Sequence, residues 1–300
     1  ARFQVTIPTR AVHTLKAHGG EAYDAVGDRS SVASAGSDGA VKLWEAGTGM
    51  AKTTLRADQA PVVAVDMIGD VVAGASTDRT GFVWSAASGR RAHHLQGHGA
   101  RLHAVRLFPG ARTVLTASGD RCVKVWDIAR EMCACTTTLR ATSSCNAADV
   151  APDGAAVLTG HQDGGLRFWD VRSGAKVNDI KSLHQSQITS VMYSPDNAST
   201  ILTNSRDNTL KLVDARTYEV ITTMSHPSYR TSYNWSRTTF SPNGAYAAAG
   251  SGDGSVFVFD VYDGSVKTIL THHRSAVSSC YWSSSQLMSC DREGFLTLWS

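Results

Sequence analysis

The chain has 300 residues, a mass of 32.0 kDa and a formal net charge of +3, with 42% hydrophobic and 18% charged residues. This composition excludes a disordered chain, and the small net charge argues against a nucleic-acid-binding protein, which would carry a dense basic stripe. No apolar run approaches the roughly 20 residues of a membrane helix, and the start ARFQVTIPTR lacks the apolar core of a signal peptide. We therefore expect a cytoplasmic protein without direct membrane insertion.

Six cysteines occupy positions 122, 133, 135, 145, 280 and 290. Their spacing contains no pair of CxxC units and no histidine at zinc-finger distance, so we expect reduced thiols, no metal and no cofactor. Cys133 and Cys135 are also compatible with a metal or redox pair, because alternate residues of a strand point to one face. An exposed loop or strand edge is the favoured interpretation.

A nine-residue pattern recurs seven times along the chain. The copies, in chain order, are GSDGAVKLW, STDRTGFVW, SGDRCVKVW, HQDGGLRFW, SRDNTLKLV, SGDGSVFVF and DREGFLTLW, ending at Trp44, Trp84, Trp126, Trp169, Val213, Phe259 and Trp299. These end positions are separated by 40, 42, 43, 44, 46 and 40 residues, in or near the range of WD-repeat propeller blades. We therefore predict an all-β fold, a single seven-bladed WD40 β-propeller over residues 1–300.

Each copy has an acidic residue six positions before its bulky end. These residues are Asp38, Asp78, Asp120, Asp163, Asp207, Asp253 and, in the last copy, Glu293. The acid opens a tight turn between two alternating apolar runs, which is the pattern of a β-hairpin.

Two blades carry a longer polar set. It consists of His18, Ser34, Asp38 and Trp44 in blade one, and of His98, Thr116, Asp120 and Trp126 in blade three. The order resembles the His, Ser/Thr, Asp, Trp tetrad of WD-repeat proteins, a buried hydrogen-bonded chain that is stable only when every member is paired.

Other blades have incomplete sets. Blade four has Thr159, Asp163 and Trp169 but no preceding histidine, and Gly74 replaces the hydroxyl in blade two. Val213 and Phe259 replace the tryptophan in blades five and six. We expect these blades to depend more on apolar packing.

A set of Ser, His and Asp also suggests a catalytic triad. A set that recurs in blade after blade is what a fold requires, whereas catalysis requires one, and no GxSxG nucleophile elbow occurs. We therefore expect a non-enzymatic protein. One of His272 and His273 is expected to serve the network of blade seven, and neither this pair nor His93 and His94 has the further ligands of a metal site.

The seventh repeat has only three strands before the sequence ends at Ser300. The segment AVHTLKAH, residues 11–18, is similar to the outer strands of later blades, such as TTLRAD and HHLQGH. We predict that this segment is the outer strand of blade seven and closes the ring, which removes open sheet edges.

From blade four onward the sequence is distinctive. The segments SSCN, TGHQDGGLRFWDVRSG, SRDNTLKLVDART, YNWSRTTFSPNGAYAAAGSGDGS and VYDGSVKTIL, together with VTIPTRAVHTLKAHGGEAYDAV near the start, resemble the C-terminal WD-repeat domain of autophagy-related protein 16. Blade five ends in LVD where LWD is usual, and blade six has an enlarged entry loop, as in that family. The resemblance covers essentially all of the chain.

The resemblance implies a scaffold in autophagy. Its propeller would recruit the complex that joins the ubiquitin-like autophagy modifier to phosphatidylethanolamine. Recruitment to autophagosome precursors or endolysosomal membranes would use short peptide motifs in receptors or the vacuolar proton pump. The family's amino-terminal segment, which binds autophagy protein five of the conjugation complex, and its dimerising coiled coil are absent from this chain.

A basic rim is expected on the face that carries the Asp turns. It consists of Arg79, Arg101, Arg121, Arg206 and Arg292, with Glu21 and Asp58 as the chief acidic counterparts. Such a rim attracts an acidic or phosphorylated peptide, since arginine holds a carboxylate with two hydrogen bonds. The resemblance places Arg101 at a position tied to recruitment on single membranes. The alternative is a solvated charged rim without a partner.

The entry loop of blade six is a second candidate, because it places Tyr233 and Trp235 beside arginine. The structural alternative is that Trp235 packs against Phe259, in the blade that lacks its own tryptophan.

Three rival functions differ in what they require. A generic WD40 adaptor, such as a ubiquitin-ligase substrate receptor or an assembly factor, would bind partners from that machinery. A phosphoinositide-binding propeller would carry an FRRG signature, for which GRRAHHL at residues 89–95 is a poor substitute. An enzyme would require a singular constellation, and the sequence offers none.

Overall fold

The computed structural model describes residues 5–195 and 198–300, so residues 1–4 and 196–197 of the expected 1–300 domain lie outside the described residues. The described chain forms 28 β-strands in seven four-stranded sheets, as predicted for a seven-bladed propeller. The all-β fold is therefore confirmed. In the described ranges, no helix has the length and apolar character needed to cross a membrane.

The first four blades follow one another along the chain, and strands are numbered in chain order. Strand β1 spans Ala11–Lys16. Blade one contains β2 (Ala22–Gly27), β3 (Ser31–Gly36), β4 (Ala40–Glu45) and β5 (Ala51–Arg56). Blade two contains β6 (Val62–Ile68), β7 (Val71–Ser76), β8 (Gly81–Ser85) and β9 (Arg91–Leu95). Blade three contains β10 (Leu102–Leu107), β11 (Thr113–Ser118), β12 (Cys122–Asp127) and β13 (Ala134–Arg140). Blade four contains β14 (Cys145–Val150), β15 (Ala156–His161), β16 (Leu166–Asp170) and β17 (Lys176–Ile180).

The last three blades complete the ring. Blade five contains β18 (Ile188–Tyr193), β19 (Thr200–Ser205), β20 (Leu210–Asp214) and β21 (Val220–Met224). Blade six contains β22 (Thr238–Phe240), β23 (Tyr246–Gly250), β24 (Ser255–Asp260) and β25 (Val266–Thr271). Blade seven contains β26 (Val277–Trp282), β27 (Leu287–Asp291), β28 (Phe295–Trp299) and β1.

The ring closes through the segment predicted from the sequence. Strand β1 pairs antiparallel with β28, so that Lys16 lies opposite Phe295 and Thr14 opposite Thr297. The apolar core lies between adjacent blades. Val32 of blade one, for example, packs in one cluster with Leu298 of blade seven. The expected closure is therefore confirmed, and the blades on either side of it share buried apolar surface.

The structure joins the residues of two sequence-predicted tetrads. In blade one, His18 Nδ1 is 2.8 Å from Asp38 Oδ1 and His18 Nε2 is 2.9 Å from Ser34 Oγ, which accepts the Trp44 indole N–H at 2.9 Å. In blade three, His98 is 2.9 Å from Asp120 and 2.8 Å from Thr116, and Thr116 accepts the Trp126 indole N–H at 2.8 Å.

In both tetrads, the indole N–H determines which of the other groups donate hydrogen bonds and which accept them. The Ser or Thr hydroxyl oxygen accepts a hydrogen bond from the indole N–H, so the hydroxyl donates its own hydrogen bond to His Nε2. The other ring nitrogen, Nδ1, then carries a proton and donates a hydrogen bond to the carboxylate. The rings are therefore neutral, and burial lowers the pKa of both His18 and His98. Every polar group of the set is paired inside the protein.

Blade seven uses a different acid from the one expected. His273 Nδ1 is 2.7 Å from Asp291, its Nε2 is 2.6 Å from Ser289, and Trp299 donates to Ser289 at 2.8 Å. Glu293, the acid at the repeat position, is exposed. The pairing follows from register, since Asp291 ends β27 two residues beyond Ser289 and lies directly beside the buried ring.

Blades four and five also build networks that the pattern did not reveal. In blade four, His161 from β15 itself is 2.7 Å from Thr159, which accepts the Trp169 indole N–H at 2.8 Å. Asp163 instead pairs with Arg167 at 2.6 Å. Blade five has a network without a tryptophan. In it, His184 is 2.8 Å from Thr203 and 3.0 Å from Asp207.

Blade two lacks a tetrad, as its sequence suggests. Gly74 stands where the hydroxyl would be, and the buried Trp84 Nε1 has no hydrogen-bond partner among the described residues. A Cβ on Gly74 would lie 2.9 Å from Trp84 Cζ3. The indole has therefore moved into the space that a hydroxyl-bearing side chain would occupy.

Charged side chains of the innermost strands line the central channel. Asp66 accepts the backbone N–H of Leu107 at 2.7 Å, and Asp149 accepts that of Tyr193 at 2.8 Å. Each carboxylate therefore ties its blade to the next one. Arg106 lies beside Asp149, with its Nε 3.4 Å from Oδ1.

Arg237 of blade six crosses the channel. Its Nη1 donates to the carbonyl of Thr189 at 3.1 Å and to that of Asn146 at 3.4 Å, and its Nη2 donates to the carbonyl of His103. Burial lowers the pKa of Arg237 to about 10, so the side chain stays charged at neutral pH. One guanidinium thereby joins blade six to blades three, four and five.

Deleting residues 1–17 removes β1, and we expect it to destabilise blade seven because β28 then becomes an open edge. Thermal unfolding and hydrogen exchange over residues 287–299 measure the effect, and a chain that begins at residue 5 and keeps β1 is the control. If the variant without residues 1–17 unfolded at the same temperature as the control, the closure of the ring by β1 would be contradicted.

Thr116→Val should destabilise the domain by about 2 kcal/mol, because it leaves both His98 and Trp126 without their buried partner. Thr297→Val is the matched control. Thr297 is equally buried, but its hydroxyl has no partner among the described residues, so this change should cost nothing. Chemical denaturation gives both values, and equal effects would contradict a stabilising network.

Burial, partly offset by Arg106, raises the pKa of Asp149 from 3.8 to about 6. A raised carboxyl pKa means that the folded state holds the proton more tightly, so the contribution of this group to stability falls as pH rises from about 4 to about 6. The free energy of unfolding of Asp149→Asn, relative to that of the unmodified domain, should therefore rise by about 2 kcal/mol between pH 4.5 and pH 7.5. Urea unfolding at both pH values measures this gain, and a pH-independent difference would refute it.

Candidate functional site

The upper face of the propeller is the end where the Asp turns and the loops between blades lie. The structure places the five rim arginines here, all exposed, together with Tyr233 and Trp235. Trp235 and Arg101 both line two small cavities at the mouth of the channel, of about 60 and about 70 Å³. Two candidates from distant parts of the sequence, in blades three and six, therefore share one site.

Trp235 lies over the channel mouth. Its ring packs edge-on against Tyr23 at 5.8 Å between centroids and stacks on Tyr233 at 5.5 Å. The expectation that Trp235 packs against Phe259 is wrong. The ring that fills this place is Tyr229, which is fully buried and lies 5.9 Å from Phe259, because the first part of the entry loop turns inward.

Arg101 is held by a half-buried histidine. Its Nε donates to His103 Nε2 at 3.1 Å, while His103 Nδ1 donates to the carbonyl of Cys145 at 2.9 Å. Burial lowers the pKa of His103 to about 4, so the ring is neutral and Nε2 is free to accept. The two terminal nitrogens of Arg101 make no other hydrogen bond among the described residues and remain available to a ligand.

The cavity beside Arg101 has a largely apolar wall. Besides Trp235 and Tyr23, it is lined by Pro61, Val63 and Leu102. A guanidinium next to an aromatic and aliphatic hollow is suited to an acidic peptide segment with a neighbouring apolar side chain. His103 and Tyr23 were not found from the sequence, because neither belongs to the repeated pattern.

Two of the rim arginines are engaged within the protein. Arg206 donates to the carbonyl of Ser232, and Arg292 pairs with Glu21 at 2.9 Å while lying 5.9 Å from the ring of Tyr233. Both side chains fasten the entry loop of blade six to its neighbours. They contribute positive charge to the rim but are less available than Arg101.

Arg79 and Arg121 are the freer members of the rim. The Nε of Arg79 donates to its neighbour Asp78 at 3.4 Å, and the guanidinium of Arg121 has no hydrogen bond or ion pair within residues 5–195 and 198–300. The nearby acids are already used, since Asp120 accepts from Gly99 N–H as well as His98. Arg79 and Arg121 therefore have no ion-pair partner among the described residues.

The described residues contain no group of three or more His, Cys, Asp or Glu that could hold a metal ion. All six cysteines are free thiols, and Cys135 is exposed whereas Cys133 is half-buried. Burial raises the pKa of Cys145, Cys280 and Cys290 far above neutrality. These buried thiols are therefore protonated and unreactive.

Comparison with known proteins agrees with the repeat. The family model "WD domain, G-beta repeat" matches residues 9–45, 89–127, 133–170, 178–214 and 222–260. The segment 46–88, which lies between the first two matches, contains most of blade two, where the tetrad is missing.

Several relatives match nearly the whole chain. It is 34% identical over 308 residues to Protein tipD of Dictyostelium discoideum, covering 99% of this chain and 50% of that protein. It is 35% identical over 303 residues to Autophagy-related protein 16 of Arabidopsis thaliana, covering 98% and 58%. It is 31% identical over 306 residues to Autophagic-related protein 16.2 of Caenorhabditis elegans, covering 98% and 56%.

The chain spans about half the length of the curated relatives it matches. The part that matches is the seven-bladed ring, and the resemblance stated from the sequence is confirmed. The chain belongs to the WD-repeat family and is a WD40 domain of the autophagy-related protein 16 family.

Proposed function

We propose that this domain is a non-enzymatic protein-interaction scaffold in autophagy. It recruits the autophagy modifier-lipidation complex to target membranes, where receptor peptide motifs or subunits of the vacuolar proton pump bind its upper face. The conjugation complex itself contacts regions outside this chain. The domain acts in the cytoplasm, at autophagosome precursors or endolysosomal membranes.

The observation that carries the proposal is the arrangement at the channel mouth. Arg101 is fixed by His103 at 3.1 Å, and it lines two cavities together with Trp235. A preorganised guanidinium loses little side-chain entropy when it binds a carboxylate with two hydrogen bonds. An aromatic anchor next to it supplies apolar contact area.

Relatives support the biological setting. Two of the matching proteins are named as autophagy-related, and the match to each covers 98% of this chain. The recurrence of the Ser/Thr, His and Asp networks in several blades supports a structural role for them, and hence a domain without a catalytic centre.

The test is affinity capture from cytosol and detergent-solubilised membranes, with the domain and its Arg79→Glu/Arg101→Glu/Arg121→Glu variant as bait. We expect autophagy or proton-pump subunits to bind the unmodified domain, and at least tenfold less to bind the variant, because three attractive charges become repulsive.

The control reverses three exposed arginines on the opposite face, Arg112→Glu/Arg172→Glu/Arg216→Glu. This variant has the same net charge as the first, so equal losses in both would indicate a nonspecific charge effect and contradict the site. Recovery of ubiquitin-ligase or assembly subunits instead would favour a generic adaptor.

A further inference from the structure

The Asp turns of the seven blades share one backbone conformation. The residue after the acid, or after its structural equivalent, has a positive φ in each blade. In chain order these residues are Gly39, Arg79, Arg121, Gly164, Asn208, Gly254 and Gly294. Four are glycine, and the fifth is asparagine, which adopts the left-handed region more readily than other side chains. Blades two and three alone among these turns use arginine there.

A long side chain in the left-handed region is strained, because its Cβ approaches the carbonyl oxygen. The φ values are 79° for Arg79 and 68° for Arg121. Strain of this kind persists where the surrounding structure compensates for it or where function requires it. Asn208 shows compensation, since its side-chain oxygen accepts the N–H of Thr231 at 2.9 Å.

No comparable compensation exists for the two arginines. Both are exposed, and within the described residues Arg79 makes only the 3.4 Å contact with its neighbour while Arg121 makes no hydrogen bond or ion pair. Glycine would relieve the strain at either position, and the only internal hydrogen bond lost among the described residues would be the 3.4 Å contact of Arg79 with Asp78. The positive φ at each arginine therefore lowers the stability of the fold, while the side chain itself is exposed to solvent.

Arg101 lies between the two turns along the rim. Its carbonyl accepts the N–H of Gly119, in the turn that leads to Arg121, at 3.1 Å. Blade three, residues 96–141, contains seven Arg and Lys residues but three Asp and Glu residues. Arg101 and Arg121 therefore lie in the most basic blade, whereas Arg79 belongs to blade two, residues 57–95, which has three Arg and Lys residues and four Asp and Glu residues.

This charge and donor pattern selects a ligand class. Three arginines offer more N–H donors and more charge than a single carboxylate satisfies, whereas a phosphomonoester carries close to two negative charges and three acceptor oxygens. A peptide fits better than a membrane, because Arg101 lies at a narrow channel mouth beside Trp235 rather than on a flat surface.

We propose that Arg79 and Arg121, held by strained turns on either side of Arg101, form together with Arg101 a site for a phosphorylated peptide segment of a partner. The inference rests on the proposed function of the upper face and specifies the chemistry of what it binds. The turns fix the Cα positions of Arg79 and Arg121, and His103 holds the guanidinium of Arg101, so the side chains that become ordered on binding are those of Arg79 and Arg121.

The test uses immobilised peptide libraries with degenerate flanks around a fixed phosphoserine, glutamate or serine. The unmodified domain should bind the phosphoserine library at least tenfold better than the glutamate library. Arg79→Lys/Arg121→Lys keeps the charge but removes the planar fork, so it should lose most of this preference.

The double variant Arg79→Gly/Arg121→Gly separates strain from binding. It should lose phosphopeptide binding and yet melt about 2 °C higher, because glycine relieves both turns. Ala111→Gly is the matched control. Ala111 has a φ of 53° in a turn on the opposite face of blade three, so this change should raise the melting temperature and leave binding intact.

Several outcomes would overturn the inference. Equal binding of the phosphoserine and glutamate libraries, binding by neither, or a lower melting temperature of the double glycine variant would each do so. Binding of vesicles containing phosphoinositides in place of peptides would also overturn it. A domain that still captures autophagy proteins but shows no phosphate preference would leave the proposed function intact.

Discussion

The pairing of β1 with β28 is the interaction on which the rest of the structure depends. A propeller with one unpaired blade has an open sheet edge and an incomplete apolar interface between its first and last blades. Here the antiparallel register places Lys16 opposite Phe295, and the adjoining cluster buries Leu298 with Val32. Closure brings all seven innermost strands around one channel. Arg237 can then reach three other blades, and Trp235 can reach Tyr23 across the mouth.

Buried polar networks and unpaired charges are distributed unequally around the ring. Blades one and seven each contain a complete buried network of histidine, acid, hydroxyl and indole. Blade two lacks the network, carries a strained arginine turn and leaves Trp84 Nε1 without a hydrogen-bond partner in the described part of the chain. Blade three retains the network but has the second strained turn. The polar groups of these networks are thus paired internally, whereas Arg79 and Arg121 of blades two and three face solvent, as expected of a binding surface.

Much of the fold could be predicted from one short pattern. The seven copies of the pattern, 40 to 46 residues apart, predicted the number of blades. The similarity of residues 11–18 to the outer strands of other blades predicted the closure of the ring. The site was harder to predict, because its support is not periodic. His103 orients Arg101 from an inner strand, and His161 supplies the ring of blade four from the first position of its nine-residue copy, where no other copy has a histidine. Whether Trp235 or Tyr229 turned inward depended on loop geometry that residue type alone does not determine.

The central claim is that partners bind the upper rim of blades two and three. The most direct measurement is hydrogen–deuterium exchange of the domain, alone and with a partner recovered by capture. Slower exchange over residues 77–81, 97–103, 119–122 and 233–236, with the lower-face turns at 109–112 and 171–175 unchanged, is the result expected. Protection confined to the lower face or the outer strands would contradict the claim.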